Sequence, residues 1–187
     1  MLVDNHLERT APLTQSLTEA GYEVIAHLTD TANLDEAVSR LMPDVVIIDT
    51  ESPSRDTLEH LIVMGQNAPR PIVMFTHDGD SEKIRSATRA GVSAYVVGGL
   101  PNERLKPIME AAIARFEEFK ALRNELNEAN TKLSERKVIE KAKGLLMKQR
   151  GVDEDTAYAM LRNMAMKQNI RLATLAEQVV QAAKLLL

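Results

Sequence analysis

Val45-Val46-Ile47-Ile48-Asp49 decides the fold of this chain. Four apolar, β-branched residues in a row form the pattern of a strand buried on both faces. The aspartate that follows directly would stand at the carboxyl edge of a sheet. Outward from this run, strand-like and helix-like segments alternate. Upstream, Leu34, Ala37, Val38 and Leu41 recur at helical spacing before Pro43, and Tyr22 to Leu28 reads as a strand. Further upstream a helix from Leu7 to Ala20 stops at Gly21, a common residue just past a helix end, and Leu2-Val3 ends in Asp4. Downstream, a helix from about Arg55 to Asn67 precedes a strand at Ile72–Phe75. A helix at Ser81–Ala90, a strand at Ala94–Val97 and a last helix beginning after Pro101 complete the series. Five strands with intervening helices predict right-handed crossovers and an open, parallel, doubly wound α/β sheet. Ligand chemistry is then expected at the carboxyl ends of the strands. Only three residues precede Asp4, which is short for a central strand: either that strand is truncated or the start lies upstream.

From Pro107 to about Arg136 no Gly or Pro interrupts a helical pattern. Leu122, Leu126, Ala129 and Leu133 follow a 4-3-4 spacing among Glu and Lys, which suits a short coiled coil and hence a homodimer. The alternative is one long helix packed on its own domain. Phe116 and Phe119 stand off the strict heptad, which confines the seam to the second half. The remaining residues read as three helices. The first runs to Arg150 and stops at Gly151. The second is capped by Asp153 and buries Ala157, Leu161, Met164 and Ala165. The third runs from about Leu172 to Leu187 and buries Leu175, Ala176, Val179, Val180 and Ala183. The expected organisation is an α/β domain at 1–107, a helical linker at 108–133 and a small three-helix domain at 134–187.

Charge divides along the same lines. Residues 1–107 carry nine Lys/Arg against sixteen Asp/Glu, whereas 134–187 carry ten against six. A basic unit on an acidic chain points to a polyanion, because Lys and Arg gain affinity by releasing counterions from phosphates; a solvated helical surface gives the same count. On a helical wheel Lys137, Lys141, Gly144 and Lys148 share one edge, opposite Val138, Ile139, Ala142, Leu145 and Leu146. Gly144 in mid-helix costs about 1 kcal/mol relative to alanine. It therefore marks either tight helix packing or the close approach of a ligand. Cysteine is absent, no long apolar run occurs and no signal-like segment opens the chain, so a reducing, cytoplasmic setting without a membrane span is expected. The four histidines, His6, His27, His60 and His77, lack metal-ligand spacing. No nucleophile elbow or P-loop is present, so an enzyme is not expected.

Asp4 and Asp49 at neighbouring strand ends could hold Mg²⁺ through carboxylate oxygens. Thr76 ends the fourth strand and Tyr95 lies in the fifth, and Asp49-x-x-x-Pro53-x-x-Asp56 follows the third. These residues resemble the receiver domain of two-component response regulators over about Met1 to Ala114, a flavodoxin-like fold. The resemblance implies that Asp49 would accept a phosphoryl group and that Thr76 would bind it. Three positions depart from the family. Gly98-Gly99 replaces the Lys-Pro step, Asn5 replaces the second acidic residue of the first strand, and His77 replaces a small residue after the threonine. A vestigial strand-end aspartate is thus an alternative to phosphorylation.

Arg136-Lys137-x-Ile139-Glu140-x-Ala142-Lys143-Gly144-x-Leu146-Met147, followed by Ala157-x-x-x-Leu161-Arg162-x-x-Ala165-Met166, resembles the ANTAR domain, an RNA-binding antitermination module. Receiver, coiled coil and ANTAR together resemble the nitrate-assimilation regulators of the NasT type. That resemblance implies binding to a two-hairpin leader RNA, protection of it against an intrinsic terminator, and release by a nitrate-sensing partner protein. Lys137, Lys141, Ala142, Lys143, Gly144, Lys148 and Arg162 are then the expected RNA-contact residues. Beyond Tyr158 the tail has no aromatic platform, so hydrogen bonds and shape are expected to read the bases. A phosphorylation-controlled DNA-binding response regulator and a pure dimerisation module are the competing functions.

Overall fold

The computed structural model describes residues 1–4, 7–98 and 104–185. Contacts divide the chain into two compact units, Met1–Lys120 and Ala121–Leu187. Ten elements begin in the first: β1 Leu2–Asp4, α1 Leu7–Glu19, β2 His27–Leu28, α2 Leu34–Leu41, β3 Val46–Thr50, α3 Arg55–Asn67, β4 Ile72–Thr76, α4 Ser81–Arg89, β5 Ala94–Val97 and α5 Leu105–Arg150. The strands form one sheet in the order β2-β1-β3-β4-β5, parallel throughout.

Strand side chains alternate between faces, and the core splits accordingly. Val46 and Ile48 of β3, with Ile72 and Met74 of β4, face a layer that includes Leu34, Val38, Leu61, Met64 and Ala87 from α2, α3 and α4. Ile47, Val73 and Phe75 face the other way, against Leu13 and Leu17 of α1 and Leu105, Met109 and Ala112 of α5. The apolar run Val46–Ile48 is therefore a strand segment covered by helices on both sides.

Three boundaries differ from expectation. Strand β2 contains only His27 and Leu28, which pair with Leu2 and Val3 of β1. Tyr22 and Val24 pack against the second core layer without joining the ladder. Strand β3 continues through Asp49 and Thr50, which pair with Phe75 and Thr76, so Asp49 lies inside the strand. The expected boundary at Pro107 falls in the first turn of α5, where proline is tolerated. The opening turns of that helix belong to the α/β core. Asn5, His6, Gly99 and the expected helix start after Pro101 lie outside the described residues.

In the second unit, the later part of α5 packs with α6 Glu154–Gln168 and α7 Leu172–Leu185 around Ala142, Leu161, Ala165, Leu175 and Ala176. Gly151, at φ +66°, ends α5. Asp153 caps α6 by accepting from Thr156 N–H at 2.7 Å. Met164, expected in the core, is exposed: α6 buries the i, i+4, i+8 stripe of Ala157, Leu161 and Ala165, and Met164 stands beside it. Along α5, Phe119, Leu122, Leu126 and Leu133 are exposed by 63%, 59%, 61% and 53%. Phe119 precedes Leu122 by three residues and so extends the heptad stripe that it was expected to break; Phe116 is half-buried. No described helix is long and apolar enough to cross a membrane.

Candidate functional site

Two places carry chemistry, one in each unit. At the carboxyl edge of the sheet, Asp4 and Asp49 lie opposite one another on β1 and β3. Asp4 is buried and Asp49 half-buried. The described residues contain no group of three or more His, Cys, Asp or Glu that could hold a metal. The two carboxylates do meet the ordinary requirement of Mg²⁺, which takes one or two and keeps several waters.

Thr76, fully buried at the end of β4, is committed to the chain itself. Its hydroxyl donates to the Glu51 carbonyl at 2.8 Å and accepts from Asp78 N–H at 3.1 Å. The loop after β3 is further joined by side chains to the loop after β4 and to the first turn of α4. Ser52 Oγ donates to Asp78 Oδ2 at 2.6 Å, and Lys83 Nζ donates to the Pro53 carbonyl at 3.0 Å. Tyr95 of β5 donates its hydroxyl to the Asp78 carbonyl at 2.8 Å. The Ser52 hydroxyl, with the Asp80 N–H, holds the Asp78 carboxyl below the usual carboxylate range. Gly98 takes φ +98°, a conformation that a β-carbon would strain, which fits glycine at the place where the receiver family carries lysine. His77 is exposed, so its bulk meets no packing limit.

In the second unit the predicted lysine edge forms. Lys137, Lys141, Gly144 and Lys148 are all exposed on α5, as is Arg162 on α6. Among the described residues none of these cations forms an ion pair. A β-carbon built on Gly144 meets nothing within 4 Å. Helix packing therefore does not explain this glycine.

Two expected RNA-contact residues stand elsewhere. Ala142 is fully buried in the core of the unit, so its small side chain serves the approach of α6 and α7 rather than of an external ligand. Lys143 is 7% exposed, and its ammonium lies 2.8 Å from Glu140 Oε1 and 2.6 Å from Glu154 Oε1. The two carboxylates, Glu140 first, hold the Lys143 ammonium above its ordinary range, and the lysine draws Glu154 below its own. The Glu140–Lys143 pair at i, i+3 was available to sequence reasoning; Glu154, across the α5–α6 turn, was not. Tyr158, the tail's one aromatic side chain, is exposed on the same helix as Arg162.

Comparison with known proteins follows this division. Residues 1–110 match the response regulator receiver domain and residues 127–180 the ANTAR domain. The transcriptional regulatory protein PdtaR of Mycobacterium tuberculosis is 31% identical over 169 residues, covering 90% of this chain and 82% of that protein. The nitrate regulatory protein of Klebsiella oxytoca is 35% identical over 75 residues, 40% of this chain and 19% of that protein. The signal receiver domain of a modulated diguanylate cyclase from Desulfovibrio desulfuricans G20 has the same fold as the first unit, with a TM-score of 0.54 and 21% identity over 62% of this chain and 93% of that one. The chain belongs to the response regulators that join a receiver domain to an ANTAR domain.

Proposed function

We propose that the chain is an RNA-binding transcription antiterminator. It binds a leader RNA with two hairpins through the lysine edge of α5 and prevents formation of an intrinsic terminator. The observation that carries this reading is Gly144. It weakens its helix by about 1 kcal/mol, has open space beyond it, and is flanked on one exposed edge by Lys137, Lys141 and Lys148. A missing side chain among cations lets a polyanion's backbone come close. Arg162 on α6 adds a further cation to the unit.

The similarity to the nitrate regulatory protein supports control of nitrate or nitrite assimilation genes in the cytoplasm. In this reading the receiver-like unit serves mainly to bind a nitrate-sensing partner. The two loops that phosphorylation would act on are already joined through Thr76, Ser52 and Lys83. Asp4 and Asp49 would hold Mg²⁺ when it binds, where it would neutralise anionic oxygens at the strand ends. RNA binding does not require it. The chain pairs with a second copy through Leu122, Leu126 and Leu133, all exposed on α5.

A pull-down of the full chain from cell lysate, identifying both RNA and protein, tests the reading. Recovery of a leader transcript, with affinity that falls steeply with salt, is the expected result. Equal affinity for duplex DNA of the same sequence would favour the DNA-binding alternative. Stoichiometric labelling of Asp49 by a small phosphodonor, with a change of oligomeric state, would place control in phosphorylation.

A further inference from the structure

Tyr158, Arg162 and Met166 stand four residues apart on α6, so they lie one above another on a single face of the helix. That face runs beside the buried stripe of Ala157, Leu161 and Ala165 without entering the core. Tyr158 is 43% and Met166 68% exposed, and Arg162 between them is exposed. Among the described residues the Tyr158 hydroxyl makes no hydrogen bond and the Arg162 guanidinium no ion pair. Lys143, the one buried cation among the unit's described residues, is held by two carboxylates, so the bare guanidinium is a contrast within the same small fold. A flat aromatic ring, a flat cation and a thioether are thus exposed in one row.

We infer that Tyr158, Arg162 and Met166 form a stacking platform for unpaired bases of an RNA hairpin loop, an inference that rests on the RNA-binding function proposed above. Lysine contacts to phosphate supply affinity but carry no sequence information. Reading a loop needs surfaces that take up splayed bases, and aromatic rings and guanidinium planes are the side chains that do so. The charge of the unit selects this occupant: residues 134–187 carry ten Lys/Arg against six Asp/Glu, and an arginine without a carboxylate lies in the middle of the row. An apolar protein partner would have to bury that guanidinium uncompensated, at a cost of several kcal/mol for an unpaired charge. The platform and the lysine edge thus divide the work, one binding the bases and the other the backbone.

The probe is the RNA selected by the full-length chain from a pool of two-hairpin RNAs with randomised loops. Failure to recover any RNA refutes the RNA-binding function and this inference with it. With a selected RNA, Tyr158→Ala weakens binding about 5- to 150-fold, the range for loss of one base–aromatic stack. Tyr158→Phe, which keeps the ring, recovers most of that affinity. The slope of affinity against salt stays the same in both, because no phosphate contact is lost. Arg162→Lys keeps the charge but not the plane and weakens binding as well. A 2-aminopurine in the loop is quenched on binding the unaltered chain and stays bright with Tyr158→Ala. Unchanged affinity for Tyr158→Ala, or equal losses for the Ala and Phe variants, overturns the inference. A change in self-association with RNA affinity intact assigns the face to protein contact and overturns it equally.

Discussion

Lys143 Nζ lies 2.6 Å from Glu154 Oε1, which ties the helix bearing the lysine edge to the helix that follows it. Glu140 closes the clamp from one turn earlier, at 2.8 Å. A lysine so placed within a basic motif is a positioning residue, and salt dependence separates it from a phosphate contact. Lys141→Ala is expected to lower the slope of log affinity against log salt by about 0.7, the value for one phosphate on a single strand. Lys143→Met is expected to weaken binding at an unchanged slope. Equal slope changes for the two variants would put Lys143 on the RNA.

The same clamp gives a pH signature. Glu154 sits below its ordinary range, so its contribution to stability is present above about pH 4.3 and is lost as pH falls through the depressed value. Lys143 sits above its ordinary range, so its contribution is present below about pH 10.4 and is lost as pH rises through the raised value. Melting temperatures of the unaltered chain and Glu154→Gln are expected to differ by a constant amount between about pH 5 and 10. The difference narrows at both ends. A gap that persists undiminished at pH 2 would mean that the pair does not hold the helices.

Thr76 serves the backbone of two loops at once, so its hydroxyl is structural in this state. Thr76→Val keeps the shape, strands the Asp78 N–H, and leaves the Glu51 carbonyl with only the His77 N–H at 3.2 Å. The expected loss is about 1–3 kcal/mol for such unsatisfied groups, read from urea unfolding followed by circular dichroism. A loss below about 0.5 kcal/mol would show that solvent replaces both bonds and that the loops are not stitched through Thr76.

The sheet was legible because burial on both faces leaves a signature that local sequence carries. Val46, Ile47, Ile48, Ile72, Val73, Met74 and Phe75 could hardly be placed otherwise. Strand β2 was not legible in extent, since Tyr22 and Val24 are apolar enough to pack on the core yet do not join the ladder, a distinction that depends on pairing with a different segment. The lysine edge emerged from periodicity alone. Periodicity also left Lys143 off that edge; the motif resemblance grouped it with Lys141, and the partner that sets it apart, Glu154, arrives across a turn. Phe119 was legible but misplaced. Its spacing of three residues before Leu122 places it on the stripe, where it is exposed, whereas Phe116 stands off the register and is half-buried.

That stripe predicts a second chain. Leu122, Leu126 and Leu133 are each more than half exposed at heptad spacing. Burying a leucine stabilises by about 1.5–3 kcal/mol. Replacing Leu122 and Leu126 together with lysine is expected to raise the dimer dissociation constant at least about 100-fold, measured by sedimentation equilibrium. Phe119→Lys is expected to act in the same direction. An unchanged dimer would leave the stripe to a different protein and remove the coiled coil.

Gly144 offers a test in which stability and binding move in opposite directions. A β-carbon there meets nothing within 4 Å, so Gly144→Ala relieves the helix of its glycine without a clash. The expected gain is about 1 kcal/mol, seen as a higher melting temperature of the full chain. Binding to a selected two-hairpin RNA is expected to weaken, because the new methyl group occupies the space between Lys141 and Lys148 that the RNA backbone would enter. A variant both more stable and equally tight would remove Gly144 from the interface. A less stable variant would mean that the glycine serves a packing contact after all. Only gain in one quantity with loss in the other supports a glycine kept for a ligand, since neither helix propensity nor core packing can produce that combination.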